Sequence, residues 1–165
     1  MLVRTFEGIG EIFSFDEEYT WTPGRKSHID GPCSRFFINR LKSGRLLTIN
    51  HHQFHERIDL DDIMNQGNVK SWKERSHLTA MISEDDKATW PYTLLLDERD
   101  EVSCPDAKEA ADGYIYGTYD HQRVTQREIL MARLTESDIL EGKITSSKGQ
   151  LRILVNKALG QPDIH

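Results

Sequence analysis

Histidines and acids are concentrated in one polar stretch. His51, His52 and His55 stand with Glu56 and Asp59, and His77 follows. Imidazole and carboxylate groups at this spacing could ligate Zn²⁺, which takes about four N, S or O ligands in a tetrahedral array. The order His-His-x-x-His-Glu is not the helical His-Glu-x-x-His pattern that puts two imidazoles on one face. The preferred reading is therefore a polar pocket rim whose histidines, His51 and His52 first among them, could contact a sugar or simply face solvent, and no metal or cofactor is expected. Trp21, Trp72 and Trp90 offer ring faces to a sugar. Trp72, inside the polar stretch, is kept for that role, while Trp90 reads as sheet core. Cys33 and Cys104 have no Cys-x-x-Cys spacing and are too few for a disulfide framework. A thiol becomes an effective nucleophile when a basic neighbour lowers its pKa from about 8.5. No residue adjacent to Cys104 in sequence is basic, so an inert thiol is expected there.

A second pattern is conformational. Residues 83–90 read Ser-Glu-Asp-Asp-Lys-Ala-Thr-Trp. Ser and Asp side chains accept hydrogen bonds from turn N–H groups, and a Trp that follows can pack against neighbouring strands. A plain polar hairpin turn is the competing reading.

These residues need a scaffold, and the surrounding sequence predicts strands. Residues 34–40 and 45–50 are β-rich runs around Lys42-Ser-Gly44, which makes a hairpin. Residues 51–74 form a long polar loop with a possible helical turn near Leu60 to Met64; loops of this length are usually functional or disordered. Runs at 77–83 and 92–96 flank the Ser-x-Asp turn, completing a four-stranded meander. The pattern restarts with 103–111, a turn at Asp112-Gly113, and runs at 114–119 and 128–134. Thr135 as N-cap and Gly142 as stop predict one short helix near 136–141, with a last strand over 151–155. Residues 1–32, broken by Trp21-Thr-Pro-Gly24 and Asp30-Gly-Pro32, read as an irregular arm with one strand. The expected organisation is all-β: an arm over 1–32, one blade over 33–100, and a second over 101–165 that carries the helix.

Composition bounds the function. The 165 residues suit one ordinary domain. A net charge of −6, with 21 basic residues scattered among 27 acids, leaves no basic cluster for nucleic acid. No apolar run approaches the roughly 20 residues of a membrane helix. The N-terminus lacks the form of a signal peptide, which makes a cytoplasmic location the default expectation.

The segment 83–90 resembles the Asp-box, Ser-x-Asp-x-Gly-x-Thr-Trp, of sialidases and related β-propellers, with Lys87 where the motif has Gly. The resemblance extends over residues 33 to about 134. The stretch from Cys33 through His51 is similar to the hairpin that precedes the last substrate-binding arginine of that family, and Arg75 stands where the arginine does. Residues 102–107, with Ser103-Cys104-Pro105, and 115–120 resemble the strands that bring the nucleophilic tyrosine and a supporting glutamate. The resemblance implies a partial propeller of about two four-stranded antiparallel blades, related to enzymes that hydrolyse terminal sialic acids from glycoconjugates. It implies that Arg75 binds the substrate carboxylate, where a surface ion pair with Glu74 is the competing reading. It implies too that Asp120 replaces the glutamate and that Cys104 occupies the nucleophile position. Such enzymes use tyrosine because a neutral phenol avoids repulsion by the substrate's own carboxylate. A thiol at position 104 cannot do phenol chemistry. No segment resembles the part of the family that supplies two further arginines and the acid/base. The expectation is a fragment inactive alone, with a non-catalytic carbohydrate-binding or structural module as the alternative. Open blade edges would favour self-association, for example three copies completing a six-bladed ring.

Overall fold

The computed structural model describes residues 1–6, 8–52 and 75–159. They form three antiparallel sheets in which every strand pairs with its neighbours in sequence. The first sheet contains β1 (Leu2–Thr5), β2 (Gly8–Glu11) and β3 (Arg25–Lys26). The second contains β4 (Phe37–Arg40), β5 (Leu46–His51), β6 (Leu78–Ser83) and β7 (Tyr92–Asp97). The third contains β8 (Val102–Glu109), β9 (Ile115–His121), β10 (Glu128–Leu134) and β11 (Gln150–Lys157). One short helix, α1 (Glu136–Glu141), follows β10.

The sheets stack face to face, which explains their hydrophobic patterns. β6 is buried at every position, and β5 at all but its first. A strand covered on both faces loses the apolar and polar alternation of a half-exposed one. One face of the second sheet meets the third in the main core, which includes Leu47, Ile49, Leu78, Ala80, Ile82, Val102, Ile115, Leu130 and Leu134. The other face meets the first sheet in a smaller cluster of Ile9, Ile29 and Met81, with Trp90 packed against it. β9 and β10 in the outer sheet return to alternation. Gly117 permits the close approach of the second and third sheets, since a Cβ there would stand 3.4 Å from Ile49 Cδ1.

Helix α1 is closed at both ends as its sequence predicts. Thr135 and Asp138 form a reciprocal capping box, and Gly142 ends the helix at φ 68°. Asp138 is fully buried and also accepts from Thr145 N (2.6 Å), Ser146 N (2.8 Å) and Ser146 Oγ (2.6 Å), so one carboxylate fixes the helix and the chain leaving it. Burial pushes its pKa up, but these bonds outweigh that and hold it well below the usual carboxylate range.

The arm expected over 1–32 is a correction. It holds three strands rather than one, and the molecule has three sheets. β1 and β2 are only four residues long and β3 only two, with Gly8 and Gly10 diluting β2, so no alternation is visible in sequence. The turn from β2 to β3 repeats the turn from β6 to β7. In the later turn, Ser83 Oγ donates to Asp85 Oδ1 (2.8 Å) and accepts from Lys87 N (2.8 Å). Asp85 in turn accepts from Thr89 N (2.8 Å) and Thr89 Oγ1 (2.6 Å). In the earlier one, Ser14 Oγ donates to Asp16 Oδ1 (2.9 Å) and accepts from Glu18 N (2.8 Å), and Asp16 accepts from Thr20 N (2.9 Å) and Thr20 Oγ1 (2.6 Å). The left-handed residues match as well: Glu17 and Glu18 at φ 56° and 73°, Asp86 and Lys87 at 53° and 76°. The legible signal was a second Ser-x-Asp-x-x-x-Thr-Trp, at 14–21.

Candidate functional site

β4 and β8 begin, and β5, β7 and β9 end, at one end of the stack, as the registers His51↔Leu78, Leu78↔Asp97 and Val102↔His121 require. Arg75 lies just before β6 and is 8% exposed. Its carbonyl accepts from Val102 N at 3.1 Å, which ties it to the first residue of β8 in the next sheet. Its Nη2 donates to Cys33 O at 3.3 Å. Burial pushes the Arg75 pKa down, the Cys104 thiol opposes this, and the guanidinium groups of Arg123 and Arg4 add to it. A guanidinium remains charged through such a shift.

Cys104 lies two residues into β8, where the register with β9 slips between Ser103 and Asp106. The slip places one extra residue on β8, and Cys104 takes a left-handed φ of 53°. A bulge of this kind re-aims side chains at a strand end. Ser103 Oγ donates to Asp120 Oδ1 at 2.7 Å. Arg123, in the turn from β9 to β10, donates through Nε (3.1 Å) and Nη2 (2.5 Å) to Asp120 Oδ2. The same Nη2 lies 3.2 Å from Ser103 Oγ and 3.0 Å from Cys104 Sγ. The Asp120 carboxylate, followed by the Cys104 sulfur, holds the Arg123 pKa above its ordinary value. Arg75, Cys104 and Asp120, far apart in sequence, therefore belong to one cluster.

The histidines divide. His51 is 1% exposed. Its Nδ1 lies 2.9 Å from Ser76 O and its Nε2 3.2 Å from Ser34 Oγ. A carbonyl only accepts, so Nδ1 carries the proton and Nε2 accepts from the Ser34 hydroxyl. Burial pushes its pKa down to about 4, so the ring is neutral near pH 7. The role expected for His51 as a sugar contact is corrected: the ring is buried, and it holds the residues next to Cys33 and Arg75. His52 is half-buried, and its backbone N donates to His77 O at 3.2 Å. Trp72, His55 and the expected helical turn near Leu60 lie outside the described residues. Among the described residues, no group of three or more His, Cys, Asp or Glu is arranged to hold a metal ion, and no helix is long and apolar enough to cross a membrane.

The tyrosines near Cys104 in sequence are engaged elsewhere. Tyr119 is buried in the core, with its hydroxyl 3.1 Å from Asp97 Oδ2, and burial pushes its pKa up. Tyr116 donates to Asp112 Oδ2 (2.9 Å) and Tyr114 accepts from Lys148 N (3.3 Å), both at the opposite end of the sheet. The cluster is thus rich in guanidinium and holds the Cys104 thiol. Sequence reasoning missed Arg123 and Arg4. The signal for Arg123 was its position three residues after a strand-end acid, a spacing too common to select it. No family model, curated protein or solved structure matches the chain.

Proposed function

We propose that the chain is part of a sialidase-like β-propeller that binds the carboxylate of a sialic acid at Arg75 and, with Cys104 in the nucleophile position, is a binding module rather than a hydrolase. The observation that carries this reading is the tie from Arg75 O to Val102 N. It brings together the two segments that the resemblance assigns to carboxylate binding and to the nucleophile. The sequential four-stranded meanders and the paired Ser-x-Asp turns support the propeller reading. A planar guanidinium suits a carboxylate because two N–H groups match its two oxygens. With a thiol in place of the phenol, the bound sugar lacks the tyrosine nucleophile that the sialidase reading calls for.

The test is titration of the purified protein with a methyl α-sialoside by calorimetry, alongside a fluorogenic sialoside assay. Saturable binding that Arg75→Ala removes, with no turnover, supports the reading. Turnover that Arg75→Ala removes would make the chain a hydrolase, and absence of binding would end both.

Self-association belongs to the same proposal. The third sheet leaves Leu154 and Val155 exposed on its edge strand β11 and Ile129 exposed on β10 beside it, and three sheets per chain would let two copies complete a six-bladed ring. Sedimentation at micromolar concentration is expected to give a dimer; a monomer there overturns this part.

A further inference from the structure

We propose that the turn at 14–21 is the latch by which a second copy of the chain docks, head to tail, on the open face of the third sheet, with Glu18 of one protomer against Arg133 of its partner. The pattern for this contact lies inside the chain. There the twin turn at 83–90 reaches back from the second sheet to the first: Lys87 Nζ lies 2.6 Å from Glu11 Oε2 and over the Phe13 ring, and Trp90 packs against the cluster of Ile9, Ile29 and Met81. The turn at 14–21 has the same bonds and the same left-handed pair, which aims Glu18 and Trp21 off the first sheet as Lys87 and Trp90 are aimed off the second. Glu18 is exposed, and its carboxylate has no hydrogen bond or ion pair among the described residues. Trp21 is 39% exposed, and Phe15 and Tyr19 beside it are largely exposed.

The third sheet offers the matching strand. β2, β6 and β10 each pair with the last strand of their own sheets. Leu130, Ala132 and Leu134 of β10 enter the main core, so alternation turns Ile129, Met131 and Arg133 to the free face. These are the places that Ile9, Glu11 and Phe13 take where the first sheet meets the second. Met131 is level with Ile153 of β11, and Ile129 is 42% exposed, which gives the face an apolar centre. Arg133 Nε donates to Lys148 O, which holds its stem, and no carboxylate of the described residues pairs with its guanidinium. The charges are reversed from the internal contact: within the chain a cationic turn meets an acidic strand, and between copies an acidic turn meets a cationic strand. Lys87 would face like charge at Arg133, and Glu18 would face it at Glu11, so each turn suits one strand and the copies join in one order. The inference rests on the self-association proposed above and assigns its contact.

Sedimentation equilibrium of wild type, Glu18→Lys, Arg133→Glu and the double variant tests it, with circular dichroism to confirm folding. Lysine at position 18 keeps the turn, since Lys87 holds that place in the twin at φ 76°. In a ring of two copies the contact is made twice. Glu18→Lys and Arg133→Glu should therefore each weaken the dimer by about tenfold or more, and the double variant, which restores opposite charges, should regain most of that loss. Single variants with the wild-type dissociation constant, or a double variant no tighter than the weaker single, overturn the inference and leave self-association through another surface standing. Assemblies that grow past the dimer with concentration, and lose this growth in the single variants, support the contact and overturn the closed ring. A monomeric wild type overturns the contact and the self-association together. The sugar reading is decided separately, by the sialoside titration.

Discussion

Lys87 Nζ lies 2.6 Å from Glu11 Oε2, joining the turn between β6 and β7 to the end of β2 in the neighbouring sheet. Glu11 is almost fully buried and also accepts from Arg25 Nε at 2.9 Å, while both cations lie over the Phe13 ring at 4.6 and 5.0 Å. The bond from Lys87 is foremost in holding the Glu11 pKa below its usual range. Lys87 has a left-handed φ of 76°, where glycine is at ease and a lysine costs about 1 kcal/mol. A charge-assisted hydrogen bond to a buried carboxylate is worth about 1.5–3 kcal/mol, which offsets that strain.

Lys87→Gly should therefore destabilise the protein by about 1 kcal/mol despite relieving the backbone. Urea denaturation of Lys87→Gly, Glu11→Gln and the double variant forms a cycle with a clear requirement: the two losses must be less than additive. Stabilisation by Lys87→Gly would show that the inter-sheet pair contributes nothing.

The buried ring of His51 makes stability depend on pH. Its folded pKa of about 4 lies below the ordinary histidine value of 6.5, so the unfolded chain binds the extra proton between these values. Stability from His51 is complete above about pH 6.5 and is lost as the pH falls toward 4, by about 3 kcal/mol in all. Denaturant midpoints from pH 7 to pH 4.5 should fall in wild type and fall less steeply in His51→Gln. Equal slopes in the two proteins would remove His51 from the acid response.

The twin turns predict unequal losses from the same change. Ser83 is 1% exposed and Ser14 half-buried, although both organise the same bonds. Ser83→Ala should lower the midpoint of thermal unfolding more than Ser14→Ala, because Lys87 N then loses its partner in a drier site. Asp85 itself is held down to about pKa 2, with the Thr89 hydroxyl the largest cause. Equal effects would mean that burial does not set the worth of this turn.

Asp138→Asn should cost about 3 kcal/mol or more, since an amide cannot accept on both sides of a site built from N–H and O–H donors. The native carboxylate titrates below its unfolded value, so its contribution is present above the unfolded pKa and is lost as the pH falls through the folded one. Urea denaturation at pH 7 measures the loss; a change under about 1 kcal/mol would show that the chain after α1 is held by other contacts.

Most strands from β4 onward were legible because β-branched and aromatic runs alternated with turn residues, and α1 was legible because Thr135 and Gly142 mark its ends. The first sheet was not legible. Its strands are too short to show a period, and its sharpest marker, Ser14 through Trp21, is a turn motif rather than a strand. For the site, Arg75, Cys104 and Asp120 could be selected from the resemblance. The burial of His51 could not, because a histidine followed by a histidine in a polar stretch resembles a surface. Nor could Arg123, whose place depends on a bulge in β8 and a turn after β9 that sequence spacing does not encode.

Among the described residues every strand pair joins consecutive strands, and the pairing of β5 with β6 spans the longest intervening segment. Hairpins closed over short turns form in microseconds and require little loop entropy. Assembly of β8, β9 and β10 should thus run ahead of the second sheet, whose central pair must first close over residues 52–77. The second sheet is also the layer sandwiched between the other two, so its closing step fixes when the whole stack becomes cooperative.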